Sequence, residues 1–160
     1  MILEILPPIE PLSWQSIGTS ILCGAIVGLE RQLRGKPVGI RTSSLIVLGT
    51  YVFVVISLQM TGDGTDQSRV IGQIVTGIGF LGAGVMLARE GVVVGVTSAA
   101  SIWVLAAIGI CIPIAGEAVA IQLAFIVVAV LYGVDVLEDY SSTLTRGVHK
   151  KYKYWRSKER

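Results

Sequence analysis

The sequence predicts an all-α membrane protein with five spanning helices, and three observations lead there. The 160 residues are 52 % hydrophobic and only 15 % charged, where a soluble domain carries about 25 % charged residues. The charges are clustered, so they leave five largely uncharged stretches near the roughly 20 residues that cross a hydrocarbon core. The basic residues also fall almost entirely on one side of those stretches. In lipid such segments are helices, because every backbone N–H and C=O must be paired within the segment.

Taken in order, MILEILPPIEPL has no basic start and carries Glu4, Glu10 and three prolines. It does not read as a cleaved signal, so the first span is expected to stay in the protein. The spans then run over about 14–33, 43–60, 70–88, 97–115 and 118–136. The segment TGDGTDQS after span two is rich in turn residues, with Gly62, Asp63, Gly64 and Asp66. Thr97 or Ser98 is placed to cap span four, and Pro113 to Glu117 leave only a tight hairpin before span five. Residues 1–140 are therefore read as one transmembrane domain and residues 141–160 as a basic tail. The tail mixes Tyr152, Tyr154 and Trp155 with basic residues. That suits an anionic leaflet and is a poor basis for nucleic-acid binding in so short a segment.

Charge sets the orientation. Arg31, Arg34, Lys36 and Arg41 lie between spans one and two, Arg89 between three and four, and seven more basic residues after span five. The opposite side has only Arg69, together with Glu4, Glu10, Asp63, Asp66 and Glu117. The positive-inside rule puts the twelve in the cytoplasm, with the N-terminus outside and the C-terminus inside. Four spans would move the tail or the first loop to the wrong side.

Span three, VIGQIVTGIGFLGAGVMLA, holds five glycines. Each costs about 1 kcal/mol against alanine in a helix in water. At 100° per residue Gly72, Thr76, Gly79 and Ala83 form one stripe, and Gln73, Gly77, Phe80 and Gly84 the next. Bulky Ile71, Ile74, Val75, Ile78, Leu81 and Val85 fill most of the other side. A small-sided helix admits a neighbouring backbone closely. Span one carries a similar signal, Gly24-x-x-x-Gly28, in line with Ser20 and Arg31. Packing spans one and three on each other is one reading, and packing between subunits is the other.

The densest polar segment near the membrane is GLERQLRGKPVGIRT, from Gly28 to Thr42. Glu30 shares a helical face with Thr19, Cys23 and Ile26, so it points back along the bundle. It is spaced to pair with Arg34 one turn on, or with Arg41 once Pro37 and Gly39 turn the chain. One reading is a charged helix end that snorkels to the interface. The other is a cluster of Glu30, Arg31, Arg34, Arg41 and Thr42 that binds an ion or a partner, with Glu30 the one candidate metal ligand.

Other chemistry is poorly served. Gly77-Ile78-Gly79-Phe80-Leu81-Gly82 matches a dinucleotide fingerprint only as letters, for it lies mid-span with no preceding strand. Ser98 and Ser101 have no base placed to activate them. Cys23 and Cys111 sit inside spans as small core residues, and no metal-ligand spacing is present. His149 lies in the basic tail and reads as a solvated side chain. Gln73 and Thr76 are the only strongly polar side chains within span three, and no carboxylate sits mid-span. That argues against an obvious ion-coupled transporter. No catalytic residue and no cofactor are expected, Mg²⁺ at Glu30 being the one ion considered.

Three segments, GLERQLRGKPVGIRT, VTGIGFLGAGVMLAREG and GVTSAASIWVLAAIG, come in the order and at the spacing of the MgtC/SapB family, which the chain resembles over spans one to four. The resemblance implies a five-helix protein of the bacterial cytoplasmic membrane, linked to growth in low magnesium and to survival inside host cells. It implies no ATPase, since neither a P-loop nor a phosphorylatable aspartate motif is present. The best-known virulence member is thought to act by binding membrane proteins such as the proton-translocating ATP synthase. Residue by residue, the family pattern falls on Glu30, Arg31, Gly39, Arg41 and Thr42, and on Gly77, Gly79, Phe80, Gly82, Gly84, Gly91, Gly95, Thr97, Ala99, Ala100 and Trp103. Two departures stand out. Val94 occupies a position that is basic in the virulence members, and the cytoplasmic C-terminal domain of those members is expected to be missing here.

The function expected from all this is non-enzymatic. The chain would act through helix contacts with a second copy or another membrane protein. The rival is a small transporter or channel for Mg²⁺ or another cation, motivated by Glu30 and by the external Asp63 and Asp66, since Mg²⁺ favours carboxylates and retained water.

Overall fold

The computed structural model describes residues 7–60, 66–89 and 92–140. Five helices follow one another: α1 Trp14–Leu33, α2 Ile40–Gln59, α3 Gln67–Gly84, α4 Val96–Ala115 and α5 Glu117–Tyr140. Two short strands, β1 Leu87–Arg89 and β2 Val92–Val94, lie between α3 and α4. The helices agree with the five expected stretches to within a few residues at each end. The fold class is all-helical as expected, and the two short strands change only where span three ends. Span three was expected to run to Ala88, but the helix stops at Gly84. The Val85 N–H turns back to the carbonyls of Ala83 and Gly82. The chain then pairs antiparallel, Leu87 with Val94, Ala88 with Val93 and Arg89 with Val92. The run of β-branched valines at 92–94 favours a strand over a helix. Residues 61–65, which include Asp63, and the tail 141–160 lie outside the described residues.

Helices α2 and α4, and α5 over Glu117–Val134, are long and apolar enough to cross a membrane. Among the described residues α1 and α3 fall short on composition, and for different reasons. In α1 the polar residues Ser16, Thr19, Ser20, Glu30 and Arg31 are buried inside the bundle. In α3 the polar residues and most glycines face outward.

The core lies between α1, α2 and α4. Val27, Val47, Leu105 and Ile108 are fully buried there, with Tyr51 and Ile102 nearly so. α1 meets α2 through its glycines, so the expected pairing of spans one and three gives way to α1 on α2. A Cβ on Gly24 would overlap the Ser44 backbone, and one on Gly28 would lie 2.6 Å from Ile40 Cα. The Ser44 hydroxyl donates to the Ile21 carbonyl at 3.1 Å across the same contact. α4 approaches α2 in the same way, with Gly109 beneath the Val47 carbonyl, 2.6 Å from where a Cβ would sit. α5 packs on α1 and α4, burying Ala120 and Ala124. α3 lies against α4 and, less extensively, α2, with Gly82 its one fully buried residue.

Asp66 caps α3, accepting from the Ser68 N–H at 2.9 Å. That side chain's bonds to Ser68 hold its carboxyl below the usual carboxylate range. The cap is therefore intact above the ordinary aspartate value and is lost as pH falls through the depressed one.

Gly24→Val and Gly109→Val should each lower stability by about 2 kcal/mol or more, seen as a drop of roughly 5 °C in thermal unfolding in detergent. Gly72→Ala, with open space at its Cβ position, should leave the single chain as stable or up to about 1 kcal/mol more so. Equal losses at all three positions would contradict this packing.

Candidate polar site at one end of the bundle

The end of α1 carries two charged residues into the protein. Glu30 is 8 % exposed and Arg31 3 %. A buried charge is tolerated only when it is paired. Arg34 Nε lies 2.8 Å from Glu30 Oε1, one helical turn on. The pairing is by charge at a skewed angle. Neither buried oxygen of the Glu30 carboxylate has an aligned hydrogen-bond donor among the described residues. Arg34 in turn sits over the Tyr132 ring of α5, 5.0 Å from its centre, a cation–π contact. Arg31 reaches the other way, and its Nη2 donates to the Ser98 hydroxyl in the first turn of α4. One cluster thus ties three helices together, α1 to α5 through Arg34 and α1 to α4 through Arg31.

Its position follows from the glycines. Arg31 is on the same side of α1 as Ser20, Gly24 and Gly28, so a tightly packed glycine face carries Arg31 inward with it. Ser98 is delivered by a sharp entry into α4. The helix is capped by Gly95 in the left-handed region, φ 92, where a Cβ would overlap the Val85 carbonyl. The cap is therefore Gly95, and neither Thr97 nor Ser98 as expected. The Gly95 carbonyl accepts from the Ala99 N–H at 2.9 Å, which leaves the Ser98 hydroxyl free to take Arg31.

The remaining sequence candidates scatter. Arg41 and Thr42 are exposed on the first turn of α2, apart from the Glu30–Arg34 pair. Gly39 caps α2 and lies close to the Gln32 side chain, whose Oε1 accepts from the Ile40 N–H at 3.4 Å. On α3, Gly72, Gly77, Gly79 and Gly84 face open space, and Gln73, Thr76 and Ala83 are exposed beside them. The Thr76 hydroxyl donates to the Gly72 carbonyl at 2.9 Å, and Phe80 is 81 % exposed. Gly82 alone seats a neighbour, 3.6 Å from Ala99 Cβ at its own Cβ position. Thr97 and Ala100 are exposed, Ala99 is part-buried and Trp103 is about half exposed. Gly91 lies outside the described residues.

Sequence reasoning gave no weight to Tyr132 and treated Ser98 as a cap. It also missed a contact at the opposite end, where the Ser16 hydroxyl donates to Glu117 Oε1 at 2.8 Å and joins α1 to α5. Among the described residues no three His, Cys, Asp or Glu side chains gather as a metal site would need.

The fold and this cluster define a helical membrane protein whose spans are tied by a buried charge group at one end. The profile of the MgtC family matches residues 17–140, so the chain belongs to the MgtC family. It is 49 % identical over 100 residues to YhiD of Escherichia coli K12, which is named as a candidate magnesium transporter; the match covers 58 % of this chain and 46 % of YhiD. A Haemophilus influenzae protein is 34 % identical over 148 residues, covering 87 % of this chain and 59 % of its own. Protein MgtC of Brucella abortus is 43 % identical over 91 residues, covering 57 % and 38 %. The chain thus spans roughly half the length of the curated relatives it matches. No solved structure matches it.

Ser98→Ala should destabilise by about 1–3 kcal/mol, because it leaves a buried guanidinium short of an acceptor. Ser101→Ala should cost less, since that hydroxyl donates to the Thr97 carbonyl of its own helix. Thermal unfolding of the two variants side by side checks the order.

Proposed function

We propose that this chain is a multi-pass protein of the bacterial cytoplasmic membrane, crossing it five times with the N-terminus outside. It acts without catalysis, by packing against a second copy or another membrane protein. The observation that carries the reading is the open face of α3. Gly72, Gly77, Gly79 and Gly84 meet nothing, and Gln73 is exposed next to them. A helix that lies against lipid around most of its surface is ordinarily apolar there, and an amide in hydrocarbon favours a partner that can hydrogen-bond. Small residues on that same side admit a close approach. The twelve basic residues expected on one side support the orientation.

A second reading is a conduit or sensor for Mg²⁺. Glu30 favours it, a buried carboxylate without an aligned donor, as does the name carried by YhiD. The Arg34 guanidinium against that carboxylate weighs against a divalent cation there, so contact between helices is the preferred function.

Thr76→Cys in a Cys111→Ala background should cross-link to a dimer, or to a captured membrane protein, in native membranes. Adding Gly79→Leu should abolish the cross-link while thermal unfolding of the single chain stays within about 1 kcal/mol. A strictly monomeric product with no partner recovered rejects the reading. Ion flux into vesicles by the purified chain, lost in Glu30→Gln and kept in Gly79→Leu, would establish the Mg²⁺ reading in its place. Reporter fusions should place the two termini on opposite sides.

A further inference from the structure

The turn between α1 and α2 holds a residue in a conformation that its type disfavours. Gly35 takes φ 61, which glycine adopts freely. Val38 takes φ 69 and is the one non-glycine residue with positive φ among the described residues. A Cβ crowds the backbone in that region, and a branched side chain crowds it further. Such a residue persists where its surroundings over-determine it, and strain of this kind gathers where a structure switches.

The surroundings of Val38 are specific. Its side chain is 8 % exposed and belongs to the same buried cluster as Val27 and Val47. Its carbonyl accepts from the Ser43 hydroxyl, in the first turn of α2, at 3.2 Å. Before it, the Lys36 N–H donates to the Arg31 carbonyl at 2.9 Å. The reversal lays α2 directly on α1. A Cβ on Gly28 would lie 2.6 Å from Ile40 Cα and 2.9 Å from the Gly39 carbonyl carbon. A residue at 38 with ordinary negative φ would send the chain elsewhere, so the strain at Val38 and the contact at Gly28 come together. The entry into α4, at the same end of the bundle, is the contrast. Its first helical bond, from the Ala99 N–H to the Gly95 carbonyl at 2.9 Å, matches that from the Ser43 N–H to the Gly39 carbonyl at 3.0 Å. There the left-handed residue is Gly95, which adopts that φ without strain.

We propose that Val38 is a sprung latch on the α1–α2 turn. Its buried side chain and the bond from Ser43 hold the backbone in the left-handed region. When the side chain leaves the core, φ relaxes to the ordinary range and the first turn of α2 lifts off Gly28. The bundle therefore opens first at this corner, beside the buried charge group, because Arg31 follows Gly28 on the same side of α1. This does not rest on the helix-contact function above. It requires only that the helices pack as they do here.

The test is amide hydrogen exchange, read residue by residue on the full chain in vesicles of phosphatidylethanolamine and phosphatidylglycerol. In the unaltered chain, protection at the Ser43 amide should be about 5–30-fold lower than at Ala99, although Ser43 is fully buried and Ala99 part-buried. Val38→Ala keeps the strain and loses most of the anchor, so protection at Ser43 should fall about tenfold further. Val38→Gly loses the whole anchor but relieves the strain. Its protection at Ser43 should exceed that of Val38→Ala by about fivefold. A side chain that merely packs gives the opposite order, with glycine below alanine, and that order overturns the proposal. So does a Val38→Gly chain that fails to fold where Val38→Ala folds. Protection at Ser43 equal to or above that at Ala99 in the unaltered chain overturns it whatever the variants do.

Discussion

Two backbones almost touch where α1 crosses α2, and the rest of the bundle depends on that contact. Gly24 and Gly28 bring Ser44 and Ile40 within a distance that no side chain permits. Apolar side chains gain little by leaving lipid for a protein interior, so helices in a bilayer are held by van der Waals contact and by hydrogen bonds such as that from Ser44 to the Ile21 carbonyl. The same face of α1 continues to Arg31. Once the glycines are packed, that guanidinium has nowhere to go but inward, and Ser98 of α4 meets it there. The charged cluster is thus a consequence of close packing one turn earlier.

How much was legible follows from the same logic. The five helices were readable because lipid leaves a long apolar segment no other conformation. The Glu30–Arg34 pair was readable from spacing along one helix. Burial of Arg31 was readable in principle, since its alignment with Gly24 and Gly28 was visible, but a charged residue near a helix end is more readily assigned to the interface. Ser98 and Tyr132 were not readable. Both reach the cluster from helices distant in sequence, and nothing local marks a serine as an arginine's partner. The strands at 87–89 and 92–94 were missed because a run of apolar residues beside a span looks like its continuation. Which helix α1 would choose was also hidden, since small-residue faces on two helices say that something comes close without saying what.

α1 and α3 illustrate two uses of a composition too polar for an isolated span. In α1 the serines, the threonine and the charges turn toward neighbours within the chain. In α3 the corresponding face, with Gln73 and the glycines, turns away from the bundle, while Ile74 and Ile78 pack against the core. Ile74, Ile78 and Val85 of the bulky side are thus spent inside, while Val75, Leu81 and most of the small side are left outside. The family match extends across this helix, so the arrangement belongs to the part of the chain shared with its relatives.

The hydroxyl groups of the interior have a further consequence. Ser20 donates to the carbonyl of Ser16 at 2.7 Å, Ser57 to that of Val54 at 2.7 Å and Ser101 to that of Thr97 at 2.8 Å. Each proton is committed to its own backbone, so these side chains make the interior rich in oxygen without linking into a wire along which a proton can hop. Between them lie Val27, Val47, Leu105 and Ile108 with no exposure at all. The polar atoms that accompany tight packing here are thus satisfied within single helices and need no partner on a neighbour.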